Sequence, residues 1–117
     1  MHALIIEQDM WVILMIEDVL RELGFTSFDS AASVDSAILA AQGHCPDLIT
    51  SDLRLDSGTG VEAVRHICSK APIPVVFITA TPWEIQDEVQ SAVVVPKPFG
   101  STTLKAGVAR AIELRAN

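Results

Sequence analysis

The sequence has no tyrosine, only two cysteines, and eight Lys plus Arg against fifteen Asp plus Glu in 117 residues. Each scarcity excludes something. With so few basic residues and a formal charge of −7, the chain lacks the clustered cations that displace counterions from nucleic-acid phosphates. The same deficit disfavours docking on anionic membranes. No window approaches the ~20 apolar residues of a membrane span. The start, Met1-His2-Ala3-Leu4-Ile5-Ile6-Glu7, has neither the basic head nor the long apolar run of a signal peptide. A cytoplasmic location is therefore expected. Cys45 and Cys68 form no Cys-x-x-Cys pair and read as small buried hydrophobes. His2, His44 and His66 show no ligand spacing, so no zinc or haem site is expected. Repeats, low-complexity segments and linkers are absent as well. At roughly 100–150 residues per domain, the sequence suits one domain over 1–117, with no output domain expected. About two-thirds of the unfolded surface can be buried at this size, enough for a core without covalent staples.

What is present is alternation. Ala3–Ile6 is an apolar run too short for a helix and suited to a strand buried on both faces. A helix is expected over Met10–Leu23, stopped by Gly24. Phe25–Asp29 reads as a strand. Ser33 can cap a helix over Val34–Gln42 that closes at Gly43. Leu48–Ser51 is the third strand, and a glycine-bearing loop over Asp56–Gly60 precedes a helix carrying Val61, Val64 and Ile67. Pro74–Ile78 is the fourth strand. Pro82 suits the first turn of a short helix reaching about Gln90. Val93–Val95 is the fifth strand, and a last helix from about Ser101 places Leu104, Val108 and Ile112 on one stripe. Short apolar strands alternating with helices specify an α/β domain with a doubly wound, five-stranded parallel sheet and five helices.

In such sheets function sits beyond the carboxyl ends of the strands. The first strand runs into Glu7-Gln8-Asp9, the third into Asp52, the fourth into Thr79-Ala80-Thr81 and the fifth into Pro96-Lys97-Pro98-Phe99. From these we select Asp9, Asp52, Thr79 and Lys97, one from each of four strand ends. Two neighbouring carboxylates repel unless a cation lies between them. A hard, oxygen-seeking divalent ion such as Mg2+ is its natural occupant. A lysine and a hydroxyl alongside suit a phosphoryl group, whose transfer depends on positioning and charge neutralisation.

With these residues in hand, the chain resembles the receiver domain of two-component response regulators. The resemblance is carried by Pro46-Asp47-Leu48-Ile49-Thr50-Ser51-Asp52-Leu53-Arg54-Leu55, Val76-Phe77-Ile78-Thr79-Ala80 and Lys97-Pro98-Phe99. It implies the flavodoxin-like receiver fold with strand order 2-1-3-4-5. It further implies that Asp52 accepts a phosphoryl group from a histidine kinase or histidine phosphotransfer protein. Asp9, Asp52 and the backbone carbonyl of Arg54 would hold Mg2+, Thr79 would hydrogen-bond the phosphoryl oxygens and Lys97 would pair with one. Such a domain is an autocatalytic phosphoacceptor that also dephosphorylates itself, rather than a turnover enzyme.

Several positions depart from the family pattern. A second acid usually precedes the metal-binding Asp, and Gln8 stands there, which should weaken Mg2+ binding from the outer shell. The switch position three residues before the lysine is commonly aromatic, and here it is Val94. The span from Thr79 to Lys97 is short by about one helical turn, ~4 residues. This abbreviated fourth helix is similar to that of receivers in alphaproteobacterial general-stress regulators. Met10-Trp11-Val12-Ile13-Leu14-Met15-Ile16 is apolar on every face. Trp11, Leu14 or Met15 is therefore expected to form an exposed patch for a partner. The resemblance implies that the helical bundle of a kinase docks there, and a second copy in a homodimer is the alternative. Trp83 is expected to pack in the core, with gating or docking beside the site as the alternative.

Output would pass to a downstream protein target, or the domain would drain phosphoryl groups from a kinase as a phosphate sink. A pseudo-receiver that binds protein without phosphorylation is the competing reading, to which Gln8 and Val94 lend support. A haloacid-dehalogenase-type phosphatase needs a second Asp two residues after the nucleophile, and Arg54 occupies that place. A flavodoxin-like cofactor binder fails because Ser57-Gly58-Thr59-Gly60 is no phosphate cradle before the first helix.

Overall fold

A computed structural model describes residues 1–86 and 92–116. Five strands and five helices alternate along the chain. They are β1 (His2–Ile6), α1 (Met10–Glu22), β2 (Ser27–Ala31), α2 (Val34–Gly43), β3 (Leu48–Ser51), α3 (Gly60–Cys68), β4 (Val75–Thr79), α4 (Trp83–Gln86), β5 (Val93–Pro96) and α5 (Ser101–Ala116). All strand pairings are parallel, in the order β2-β1-β3-β4-β5. This is the doubly wound parallel sheet that the alternating pattern implied, in the flavodoxin-like strand order that the resemblance implied.

The period-two alternation of the strands builds two cores. Ala3 and Ile5 point to the face covered by Ile13, Ile16, Val19 and Leu20 of α1 and by Leu104, Val108 and Ala111 of α5. Leu4 and Ile6 point the other way, against Ala37, Val61, Ala63, Val64, Ile67 and Ile85. Burying each of the larger aliphatic side chains contributes about 1.5–3 kcal/mol. Leu4, Ile5 and Ile6 are all essentially inaccessible, so β1 anchors both layers.

Local signals set the boundaries. Phe25 N–H donates to Leu20 O and Gly24 N–H to Arg21 O, both at 3.1 Å. This Schellman-type end to α1 needs the positive φ of 97° that Gly24 supplies. Ser33 caps α2 in a reciprocal pair with Ser36, and Thr59 caps α3.

Four expectations are corrected. β2 begins at Ser27, two residues later than its apolar start suggested, because Phe25 is consumed by the α1 terminus and buried there. Ile112 is exposed, and Ala111 takes its place on the buried stripe of α5. Cys45 is exposed rather than buried; burial does raise the pKa of the partly covered Cys68 thiol, which donates to Ile73 O. Trp83 is 63% exposed and does not pack in the core. The expected reach of the fourth helix to Gln90 lies outside the described residues.

Gly60 fixes how closely α3 approaches the end of β3. A Cβ there would collide with the carbonyl oxygen of Asp52 and with Ser51 Oγ. Gly60→Ala should therefore cost about 2 kcal/mol through overpacking, read as a fall in Tm of roughly 8 °C for a domain of this size.

Candidate functional site

The register of the sheet decides which carboxylates meet. Ile6 pairs with Ser51, and Asp52 N–H donates to Ile6 O at 2.9 Å. One step further along the two parallel strands sets Glu7 beside Asp52. Glu7 also stays on the Ala3–Ile5 side of β1, following the strand's alternation. Lys97 enters from β5, whose last residue Pro96 pairs with Thr79, and its N–H donates to Thr79 O at 2.9 Å. The peptide bond from Lys97 to Pro98 is cis.

These elements converge on one ammonium. Lys97 Nζ donates to Glu7 Oε1 at 2.7 Å and to Asp52 Oδ2 at 3.1 Å. Glu7 is only 3% exposed, and its second oxygen accepts from the N–H groups of Gln8 and Asp9, both at 3.0 Å. Asp52 Oδ1 accepts from Leu53 N–H at 2.7 Å. Both carboxylates therefore have each oxygen engaged, as burial requires. Burial on its own would lower the Lys97 pKa. The hydrogen bonds and negative charges of Glu7, and then of Asp52, outweigh that and raise it.

Thr79 lies buried at the end of β4, its Oγ1 accepting from Thr81 N–H at 3.1 Å and 3.3 Å from Thr81 Oγ1. Arg54 reaches outward instead. Its Nη2 sits 2.9 and 3.1 Å from the two carboxylate oxygens of Glu84. That contact joins the loop after β3 to α4. Val94 is half-buried beside Phe77 in the sheet register.

Of the four residues selected from sequence, Asp52, Thr79 and Lys97 follow the C-terminal ends of β3, β4 and β5 as expected. Asp9 does not join Asp52 and Lys97. It is the N-cap of α1, exposed, with Oδ1 accepting from Trp11 N–H at 2.9 Å. The acid that meets Asp52 is Glu7, which sequence reading passed over. The alternation Ala3, Ile5, Glu7 was the signal available. Gln8 is exposed next to it. On α1, Trp11, Leu14 and Met15 are exposed at 78%, 43% and 49%, so the apolar excess does face solvent.

The model of the response regulator receiver domain matches residues 3–109. The chain belongs to that family. It is 30% identical to the receiver domain of the PhyR response regulator from Erythrobacter litoralis, with a TM-score of 0.90 over 99% of this chain and 92% of that one. The anti-anti-sigma factor PhyR of Bartonella quintana is 29% identical with a TM-score of 0.85, covering 99% of this chain and 49% of that chain. Among curated proteins, the phyllosphere-induced regulator PhyR of Methylorubrum extorquens is 28% identical over 95% of this chain and 43% of its own length. The transcriptional regulatory protein PdtaR of Mycobacterium tuberculosis is 30% identical over 68% of this chain and 38% of its own. The chain thus spans less than half the length of these curated relatives. Receiver domains of two-component systems are phosphoacceptors rather than classical enzymes. They interact with kinases or phosphotransfer proteins and generally bind Mg2+ at acidic residues.

The residues present fit such an ion. Two carboxylates already converge on a single positive charge, and both offer oxygens, the ligand type that Mg2+ takes. Removing the ammonium tests how far the site depends on it. Lys97→Met should lower stability at pH 7 by about 2 kcal/mol, less than the 3–5 kcal/mol of a fully buried broken pair, because Lys97 remains partly exposed. Since the folded pKa lies above the ordinary 10.5, the wild-type advantage should be complete below that pH. It should shrink as pH rises through the raised value. Urea midpoints of both proteins from pH 7 to 11 check the sign.

Proposed function

We propose that this receiver accepts a phosphoryl group on Asp52 from a histidine kinase or histidine phosphotransfer protein, in a magnesium-dependent phosphorelay in the cytoplasm. The observation that carries the reading is the bridging of Glu7 and Asp52 by Lys97. An Asp52 oxygen attacks phosphorus, the P–O bond forms and the P–N bond to the donor imidazole breaks. Lys97 offsets the negative charge of the attacking Asp52 and of the incoming phosphoryl oxygens. Thr79 releases Thr81 N–H and donates its hydroxyl to a phosphoryl oxygen. Glu7, Asp52 and the backbone carbonyl of Arg54 would hold Mg2+, with Gln8 at the rim. Asp9, occupied in capping α1, leaves the metal role expected of it to Glu7. Bound there, the ion supplies positive charge that offsets repulsion between the carboxylates and the phosphoryl oxygens. With Val94 in place of an aromatic ring, movement of Thr79 would be passed on by aliphatic packing against Phe77.

The exposed Trp11, Leu14 and Met15 on α1 would dock the donor protein, or a second copy of the chain. A downstream protein target, or phosphoryl drainage from the kinase, would then be the output. Incubation with acetyl phosphate and Mg2+ should add a mass of one phosphoryl group, and Asp52→Asn should abolish it. No adduct from either acetyl phosphate or a phosphohistidine donor would favour the pseudo-receiver. Trp11→Ala should slow transfer from the protein donor roughly tenfold, the loss of a typical interface anchor, while sparing acetyl phosphate. Equal loss with both donors would assign Trp11 to folding instead.

A further inference from the structure

The edge of the sheet opposite Asp52 gathers a second group of ligand-type side chains. His2 starts β1, Asp29 lies in β2 and His44 follows α2. Their ligand atoms all lie within 4.8 Å of one another. His2 Nε2 is 3.0 Å from Asp29 Oδ2, and the His2 and His44 rings stack with centroids 3.6 Å apart and planes 9° from parallel. We propose that this edge is a zinc site, with His2, Asp29 and His44 as protein ligands and water in the fourth position.

Chemistry supports the assignment. Two imidazoles and a carboxylate suit a borderline ion such as Zn2+ and poorly suit Mg2+, which takes oxygen ligands and stays hydrated. His2 is already oriented as a ligand. Its Nδ1 lies 2.8 Å from Ser27 Oγ, and its backbone N–H donates to Asp47 Oδ2 at 2.7 Å. Nε2–H donates to Asp29 Oδ2 in the structure; a bound ion replaces that proton, and Nδ1–H donating to Ser27 Oγ then fixes the lone pair on Nε2. His2 is buried, whereas His44 is exposed and Asp29 partly so. An ion can therefore enter from solvent. The lone pairs of parallel rings run side by side, so binding requires His44 to turn out of the stack. Its exposure leaves it room to do so. The three ligands come from β1, β2 and the α2–β3 connection, and the bound ion would clamp them together. Chain separations of 27 and 15 residues between them hide the grouping from motif spacing.

Calorimetric titration of the untagged full chain with zinc chloride tests this, paired with Tm measurements. One equivalent should bind, with a Tm rise of several degrees that excess Mg2+ does not reproduce. His44→Ala, a change at an exposed position, should abolish both effects while the variant still unfolds in a cooperative transition. Ser27→Ala should weaken binding roughly tenfold. Asp52→Asn and Cys45→Ser should leave it intact. Absence of saturable binding, binding that survives His44→Ala, or loss in either of the last two variants would overturn the proposal.

Discussion

A single ammonium between two carboxylates organises the C-terminal edge of this domain. Lys97 reaches Glu7 and Asp52 together, so the residues just past β1, β3 and β5 are tied through one charge. Without it, two acids on adjacent strands would repel across the sheet. The backbone supports the arrangement from below. Asp52 N–H is held by Ile6 O, and Lys97 N–H by Thr79 O. The polar constellation is thus an extension of the strand ladder by one residue. Its stability comes from the aliphatic strands beneath, where each large buried side chain outweighs a partly exposed ion pair.

That dependence explains what the sequence disclosed and what it hid. The strands, their parallel sense and the placement of three of the four selected residues at strand ends follow from apolar runs and the polar residues after them. Asp52, Thr79 and Lys97 each stand at or just past a strand end, where the chain can take few directions. At the end of β1 three polar residues, Glu7, Gln8 and Asp9, compete for one role. Sequence reading chose Asp9, whose carboxylate instead satisfies the orphan N–H of Trp11 at the start of α1. The deciding information was register, a relation between β1 and β3 that no local motif contains. The displaced start of β2 has a similar origin, because Phe25 satisfies the α1 terminus before the strand begins. His2, Asp29 and His44 are joined only by topology.

The helices divide their apolar residues unequally between core and solvent. α1 buries Ile13, Ile16, Val19 and Leu20, yet also exposes Met10, Trp11, Leu14 and Met15. Solvent exposure of so many large apolar groups on one short helix has no stabilising rationale within the fold. Arg54 and Glu84 link the loop after Asp52 to α4 through an exposed pair. Such a pair is worth little as stability, and its interest lies in connecting the loop after Asp52 with α4.

The sheet separates two packings that share no buried side chain. Each face can therefore drift in sequence by repairing volume changes within its own layer, as jigsaw packing demands. Volume changes among α1 and α5 side chains are absorbed on that face, while the α2–α3 side keeps its own internal fit. Two halves of one small domain are thus packed independently, with the sheet as the boundary between them.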